Sequence, residues 1–243
     1  MKVNARNLDF KELNETVRKA VKEGAESITL DNVNGQRYIG CGLRSKVKIN
    51  IHGVPGNDLA AFMDGPVIEV FGNAQDAVGN TMNAGKVTVH GSAGDIIGYG
   101  MRGGAILIEG DVGYRIGIHM KSYKENVPVI VVGGVAYDFL GEYMAGGLLI
   151  VLGLNKKKKP IAGEWIGTGM HGGAIYLRGE VKDYQLGKEV KAFQASKKDM
   201  EEIKPHLQEY CEHFKCDIKK ILSEKFTKLV PYSHRPYGRV YSY

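Results

Sequence analysis

Seven times between residues 49 and 177 the chain places two aliphatic residues on either side of one variable position and closes the triplet with a glycine two residues on. The pairs are Ile49 and Ile51, Ile68 and Val70, Val87 and Val89, Ile106 and Ile108, Val129 and Val131, Leu149 and Val151, and Ile175 and Leu177. Alternation with β-branched residues predicts short strands with one face on a core. A second apolar column precedes the methionines by four residues, at Leu59, Val78, Ile97, Ile116, Leu140 and Ile166. Met63, Met82, Met101 and Met120 follow one another at intervals of nineteen, and Met144 and Met170 resume the series after insertions.

A fixed short period signals a solenoid. Equivalent positions of successive strands would stack at about 4.8 Å, forming a parallel ladder. The glycines between the columns are expected to make the turns, since they adopt positive φ without strain. Helical repeats are excluded, because each of those glycines would cost roughly 1 kcal/mol inside a helix. Residues 39–190 therefore read as a right-handed parallel β-helix of about seven turns; a nineteen-residue rung does not fit the multiples of six of left-handed hexapeptide coils. Lys121 to Asn126 and the run Lys156 to Pro160 fall between core positions and read as surface loops.

The flanks differ. Within residues 1–38, Asp9 is a candidate N-cap for a short amphipathic helix with Phe10, Leu13, Val17, Ala20 and Val21 at helical spacing and Gly24 as its stop. Ser27 to Tyr38 alternates around Asn34-Gly35, a dipeptide favoured in hairpin turns, and predicts strands leading into the coil. In residues 191–243, Ser196 to Asp199 resembles a helix start, Met200 to Lys225 has room for one or two helices, and Pro205 and Cys216-Asp217 are candidate breaks. Such segments would cap the open ends of a solenoid. The last thirteen residues, from Pro231, are rich in proline and tyrosine and read as an extended arm.

Composition narrows the functional classes. The 243-residue chain carries 43% apolar residues and a net charge of +6, without a run approaching the ~20 apolar residues of a membrane span. The N-terminus lacks an apolar signal segment, so a cytoplasmic location is expected. Cys41, Cys211 and Cys216 are odd in number and lack a C-x-x-C pair, arguing against a disulfide framework or a metal–sulfur site. Four of the lysines share one loop, and no aromatic stacking platform for nucleic acid accompanies them.

Candidate chemistry is thin. Gly98 to Gly103 matches G-x-G-x-x-G, but it neither follows a strand nor opens a helix, and its copies recur rung after rung, which points to turn geometry. Asp76, Asp95, Asp138 and Glu164 stand six residues before successive methionines; Tyr114 interrupts the column, so capped turns or exposed acids are favoured over a calcium ladder. His52, His90, His119 and His171 recur near the turns, but no serine, cysteine or carboxylate recurs with them as a nucleophile or ligand set. No catalytic, cofactor-binding or metal-binding residue is assigned. The outward position of each triplet runs Asn50, Glu69, Thr88, Leu107, Ile130, Ile150 and Tyr176, with Val132 and Leu152 one step later, so the outer face turns apolar halfway along. Either the C-terminal helices or a partner protein would cover it.

The repeated G-x-x-x-G-x-x-M-x-x-G-x-[IVL]-x-[IVL]-x-G, the stretch Gly72 to Met82 and the segment Gly141 to Gly147 resemble the GXGXG domain at the C-terminal end of the glutamate synthase large subunit, here free-standing. The β-helix subunit of formylmethanofuran dehydrogenase shares the same rungs. The resemblance implies a non-catalytic structural subunit of a split glutamate synthase, which makes glutamate from glutamine and 2-oxoglutarate. It would hold together an amidotransferase and an FMN-bearing synthase, with FMN and iron–sulfur clusters carried by those partners. The alternatives are the β-helix subunit of a formylmethanofuran dehydrogenase and an independent β-helix enzyme using a histidine base.

Overall fold

A computed structural model describes residues 1–156 and 160–232, so Lys157 to Lys159 of the lysine loop and all of the terminal arm beyond Tyr232 lie outside the described residues. The chain is mainly β: a parallel β-solenoid of about six turns with few helices. A short strand β1 (Lys2–Asn4) and helix α1 (Phe10–Lys22) precede β2 (Ser27–Asn34), β3 (Lys48–Val54), β4 (Asp64–Phe71), β5 (Ala84–Val89), β6 (Ala105–Ile108), β7 (Val129–Val132), β8 (Ala145–Val151) and β9 (Gly172–Arg178). From β2 on, each pairs in parallel with the next, and Ile49, Ile68, Val87, Ile106, Ile130, Leu149 and Ile175 lie in one register. These side chains, the second column and the six methionines fill the interior, where they are buried. The parallel ladder already includes β2, so Asn34-Gly35 ends a rung rather than turning a hairpin; Gly35 simply continues at φ +80°.

One rung is phased differently from the sequence expectation. In β7 Ile130 and Val132 join the interior, and Val129 and Val131 face out. The cause is the tandem Gly133-Gly134. Gly134 is the stacking glycine: its N–H donates to the Gly110 carbonyl at 2.9 Å, and its carbonyl accepts from Gly153 at 3.0 Å. Because strand side chains alternate, counting from Gly133 inverts the assignments of Val129 to Val132 and no others in that rung.

The bends also differ from a glycine-only rule. Three positions per rung, five, three and one before the methionine, take positive φ. The third-before position is glycine in most rungs, but the fifth-before positions are Asp58, Ala77, Ile96, Arg115, Phe139 and Trp165, with φ between 51° and 62°. The amides of the left-handed positions point alternately to the next and the previous rung. Ile96 N–H donates forward to Tyr114 at 2.8 Å and Gly98 N–H donates backward to Val78 at 2.8 Å. The left-handed cost of about 1–2 kcal/mol per residue is offset by these bonds between rungs. Glycine is demanded where a Cβ would point at the interior, as at Gly98, where it would stand 2.4 Å from Ile130.

Both ends are capped. Asp9 accepts from the amides of Lys11 and Glu12 to start α1, whose Leu13, Val17 and Ala20 seal the first rung. At the other end β11 (Phe226–Pro231) pairs antiparallel with β9, and β10 (Val190–Gln194) pairs with β11. Between them α2 (Lys197–Phe214) starts at Ser196 with a capping box to Asp199, passes through Pro205 unbroken, and stops before α3 (Ile218–Leu222). Ile203, Leu207 and Tyr210 of α2 cluster with Leu107, Val131, Ile150 and Tyr176 of the sheet. The apolar half of the outer face is thus covered by the chain's own C-terminal helices.

Candidate interaction surface

The left-handed positions five and one before the methionine flank the inward-facing third, and in the C-terminal half of the coil they include the aromatics Phe139, Tyr143 and Trp165. Phe139 and Trp165, on adjacent rungs, stack with centroids 5.0 Å apart, and the Arg115 guanidinium lies 4.6 Å over Phe139. Arg115 Nε also donates to Glu142 at 2.9 Å, which fixes the guanidinium between ring and carboxylate. One position before the methionines, His119 stacks on Tyr143 at 5.3 Å; its ring also meets the edge of Tyr99 at 5.8 Å. Tyr114 and Tyr137 form a third stack at 5.3 Å. Tyr99, Tyr114, Tyr137, Tyr143 and Trp165 remain 40–47% exposed. Solvent-facing Tyr, Trp and Arg already ordered by stacking are the residue types that anchor protein interfaces.

The candidates drawn from the sequence fall into structural roles. Asp76 Oδ1 accepts from the Asp95 amide at 3.0 Å, Asp95 Oδ1 from Tyr114 at 2.9 Å, and Asp138 Oδ1 from Glu164 at 2.9 Å. The three aspartates are therefore turn caps running rung to rung while the Glu164 side chain is exposed, and where Tyr114 breaks the column Asp111 caps Val135 at 2.8 Å. Gly98 and Gly100 lie in the bend at φ 70° and 57°. His52, Phe71 and His90 stack along β3 to β5, at 4.8 and 5.0 Å. His90 Nε2 lies 3.0 Å from Glu69, and the Lys48 ammonium 3.3 Å from it. Burial alone would raise the Glu69 carboxyl, but the His90 and Lys48 hydrogen bonds outweigh it and hold the group below its ordinary range. His171 Nδ1 lies 3.2 Å from the Gly169 carbonyl. Among the described residues no group of three or more His, Cys, Asp or Glu is placed to hold a metal ion, and no helix is long and apolar enough to cross a membrane.

Strand patterning does not reveal the aromatic corner, because its residues sit between the apolar columns. The signal lies in the bend positions, where Ala77 and Thr81 of one rung are replaced further along by Phe139, Tyr143 and Trp165, although Phe62 already stands at such a position.

The model of the GXGXG motif family matches residues 10–233. An uncharacterized protein of Methanocaldococcus jannaschii is 50% identical over 249 residues, covering 99% of this chain and 95% of that one. Ferredoxin-dependent glutamate synthase 2 of Synechocystis is 29% identical over 196 residues, and ferredoxin-dependent glutamate synthase of Pyropia yezoensis 27% over 163. Those alignments take in 76% and 64% of this chain but only 12% and 10% of the two synthases. A chain of the formyltransferase/hydrolase complex of Methylorubrum extorquens shares the fold, with a TM-score of 0.64 at 20% identity over 93% of this chain and 89% of that one.

Proposed function

The chain belongs to the GXGXG family, and from that membership we propose that it is the non-catalytic structural subunit of a split glutamate synthase. One observation carries the reading: a segment that makes up about a tenth of each glutamate synthase aligns with most of this sequence, and the Methanocaldococcus relative, aligned over 95% of its own length, consists of little else. Glutamine hydrolysis and the reductive amination of 2-oxoglutarate would then reside on partner chains, an amidotransferase and an FMN-bearing synthase that also carries the iron–sulfur clusters. This chain would supply a rigid wall in the cytoplasm, docking its partners through the aromatic corner around Phe139, Tyr143 and Trp165. A second reading is favoured by the shared fold of the Methylorubrum complex: the β-helix subunit of a formylmethanofuran dehydrogenase.

Affinity capture of the tagged chain from its native cells tests both readings. Recovery of a flavoprotein together with an amidotransferase supports the first, and a metal–pterin or formyl-transferring partner supports the second. Trp165→Ala with Tyr143→Ala is expected to release the partners without moving the melting temperature. Recovery of the chain alone, under conditions that preserve other complexes, would overturn the subunit reading.

A further inference from the structure

Cys211 and Cys216 stand five residues apart and do not form a C-x-x-C pair, yet the fold brings their sulfurs within 2.6 Å. Cys211 lies in the last turn of α2, and Lys215 behind it takes φ +53°, reversing the chain. That reversal lets the Cys216 N–H donate to the Cys211 carbonyl at 3.2 Å and carries the second side chain back over the first. The two thiols differ in access. Cys211 is buried against the sheet, whereas Cys216 is half-buried and lines an open cleft of about 420 Å³ with Tyr210, Phe214 and Glu109. Cys41 is not part of this pair; its backbone carbonyl accepts from Arg18 of α1.

We propose that Cys211 and Cys216 form a reversible redox modification site, oxidised to an intramolecular disulfide by exchange with an external disulfide of the glutathione or dithiol-protein class. The Cys216 thiolate attacks one sulfur of the external disulfide, whose other half leaves as a thiolate, and a mixed disulfide forms. The Cys211 thiolate then attacks the Cys216 sulfur and expels the second half. Two protein thiols are oxidised, one external disulfide is reduced to two thiols, and the two cysteine protons end on those products. The order of events follows access, and it agrees with the Cys211 thiol being pushed up to about 12 by burial and by the neighbouring Cys216. The bond ties the end of α2 to the start of α3, so the oxidised form holds both helices more firmly over the outer face.

The test uses the full-length chain equilibrated across a series of oxidised and reduced glutathione, quenched by alkylation and mapped by mass spectrometry. The wild type is expected to lose two alkylatable thiols together, in one crosslinked segment spanning residues 211 and 216, with Cys41 still alkylated and dithiothreitol restoring all three. Cys211→Ser is expected to stop at a glutathione adduct on Cys216, and Cys216→Ser to form neither product at this site. Oxidation should raise the wild-type melting temperature by several degrees and leave both serine variants unmoved. Three alkylatable thiols persisting in the most oxidising mixture, or crosslinks only between chains or through Cys41, would overturn the site. A crosslink that leaves the melting temperature unchanged would overturn its clamping role.

Discussion

A Cβ placed on Gly79 would stand 2.4 Å from Cδ1 of Ile106. The contact recurs along the coil, between Gly98 and Ile130 at 2.4 Å and between Gly141 and Ile175 at 2.5 Å. The same sequence offset sets Ala60, at φ +62°, toward Val87, which has no δ-methyl. Glycine at this bend therefore answers two demands, a left-handed backbone and the length of the side chain facing it. Gly79→Ala is expected to cost about 2–4 kcal/mol, combining backbone strain with overpacking. Ile106→Val alone should cost about 0.5–1.5 kcal/mol. The double variant should lose less than the sum by at least ~0.5 kcal/mol, as neighbours that share one space do. Urea unfolding of the four proteins measures the coupling, and strict additivity would show that backbone strain is the whole cost.

The columns are legible because a strand alternates sides at every residue. Ile49 and Ile51, or Leu149 and Val151, declare the interior without knowledge of the bends. The rung of β7 is misphased by its sequence because nothing local distinguishes Gly133 from Gly134; only stacking on Gly110 and Gly153 does so. Phe139 and Trp165 do not stand out as bend residues, since their positive φ is imposed by amides alternating between neighbouring rungs, a cause outside local propensity. Strand β11 is hidden for a similar reason: Phe226 to Pro231 follows two helices and is defined by its antiparallel partner β9. The aspartate caps are readable in outline, because short acids at turns accept nearby amides.

The aspartate ladder predicts a distinction between charge and acceptor. Asp95 Oδ1 receives the Tyr114 amide, and the next rung depends on that bond for its entry. Asp95→Ala should lower stability by about 1 kcal/mol. Asp95→Asn keeps an oxygen in place and should stay near wild type. Thermal unfolding of both variants decides: equal losses would mean that the carboxylate acts through its charge.

Acid should loosen the C-terminal cap through Asp199. The Lys228 ammonium donates to its carboxylate at 2.6 Å, and this bond first, with the Ser196 hydroxyl second, lowers the group from 3.8 to about 2. A carboxyl depressed on folding contributes stability that is present above its unfolded value and is lost as pH falls through the folded one. The contribution is therefore complete above about pH 4 and vanishes toward pH 2. Asp199→Asn is expected to be less stable than wild type at about pH 6 and to converge with it near pH 2. A stability gap that does not narrow between those limits would assign the effect to helix capping alone.

The covered outer face predicts that the helices can be shed while the coil stays intact. Ile150 and Leu107 project from the sheet into a cluster with Ile203, Leu207 and Tyr210 of α2, separate from the interior columns. A carboxylate introduced by Ile150→Asp would be buried there without a partner, a cost that detaching the helices removes. The interior, held by its own side chains and by inter-rung amides, has no share in that penalty. Ile150→Asp should therefore bind a hydrophobic dye and expose residues 197–222 to limited proteolysis, while the β-sheet circular dichroism stays at the wild-type level. Leu207→Ala should show the same opening more weakly. Loss of the β signal together with the helices would mean that coil and cap fold as one cooperative unit, with the C-terminal helices a condition for the solenoid rather than a cover laid over it.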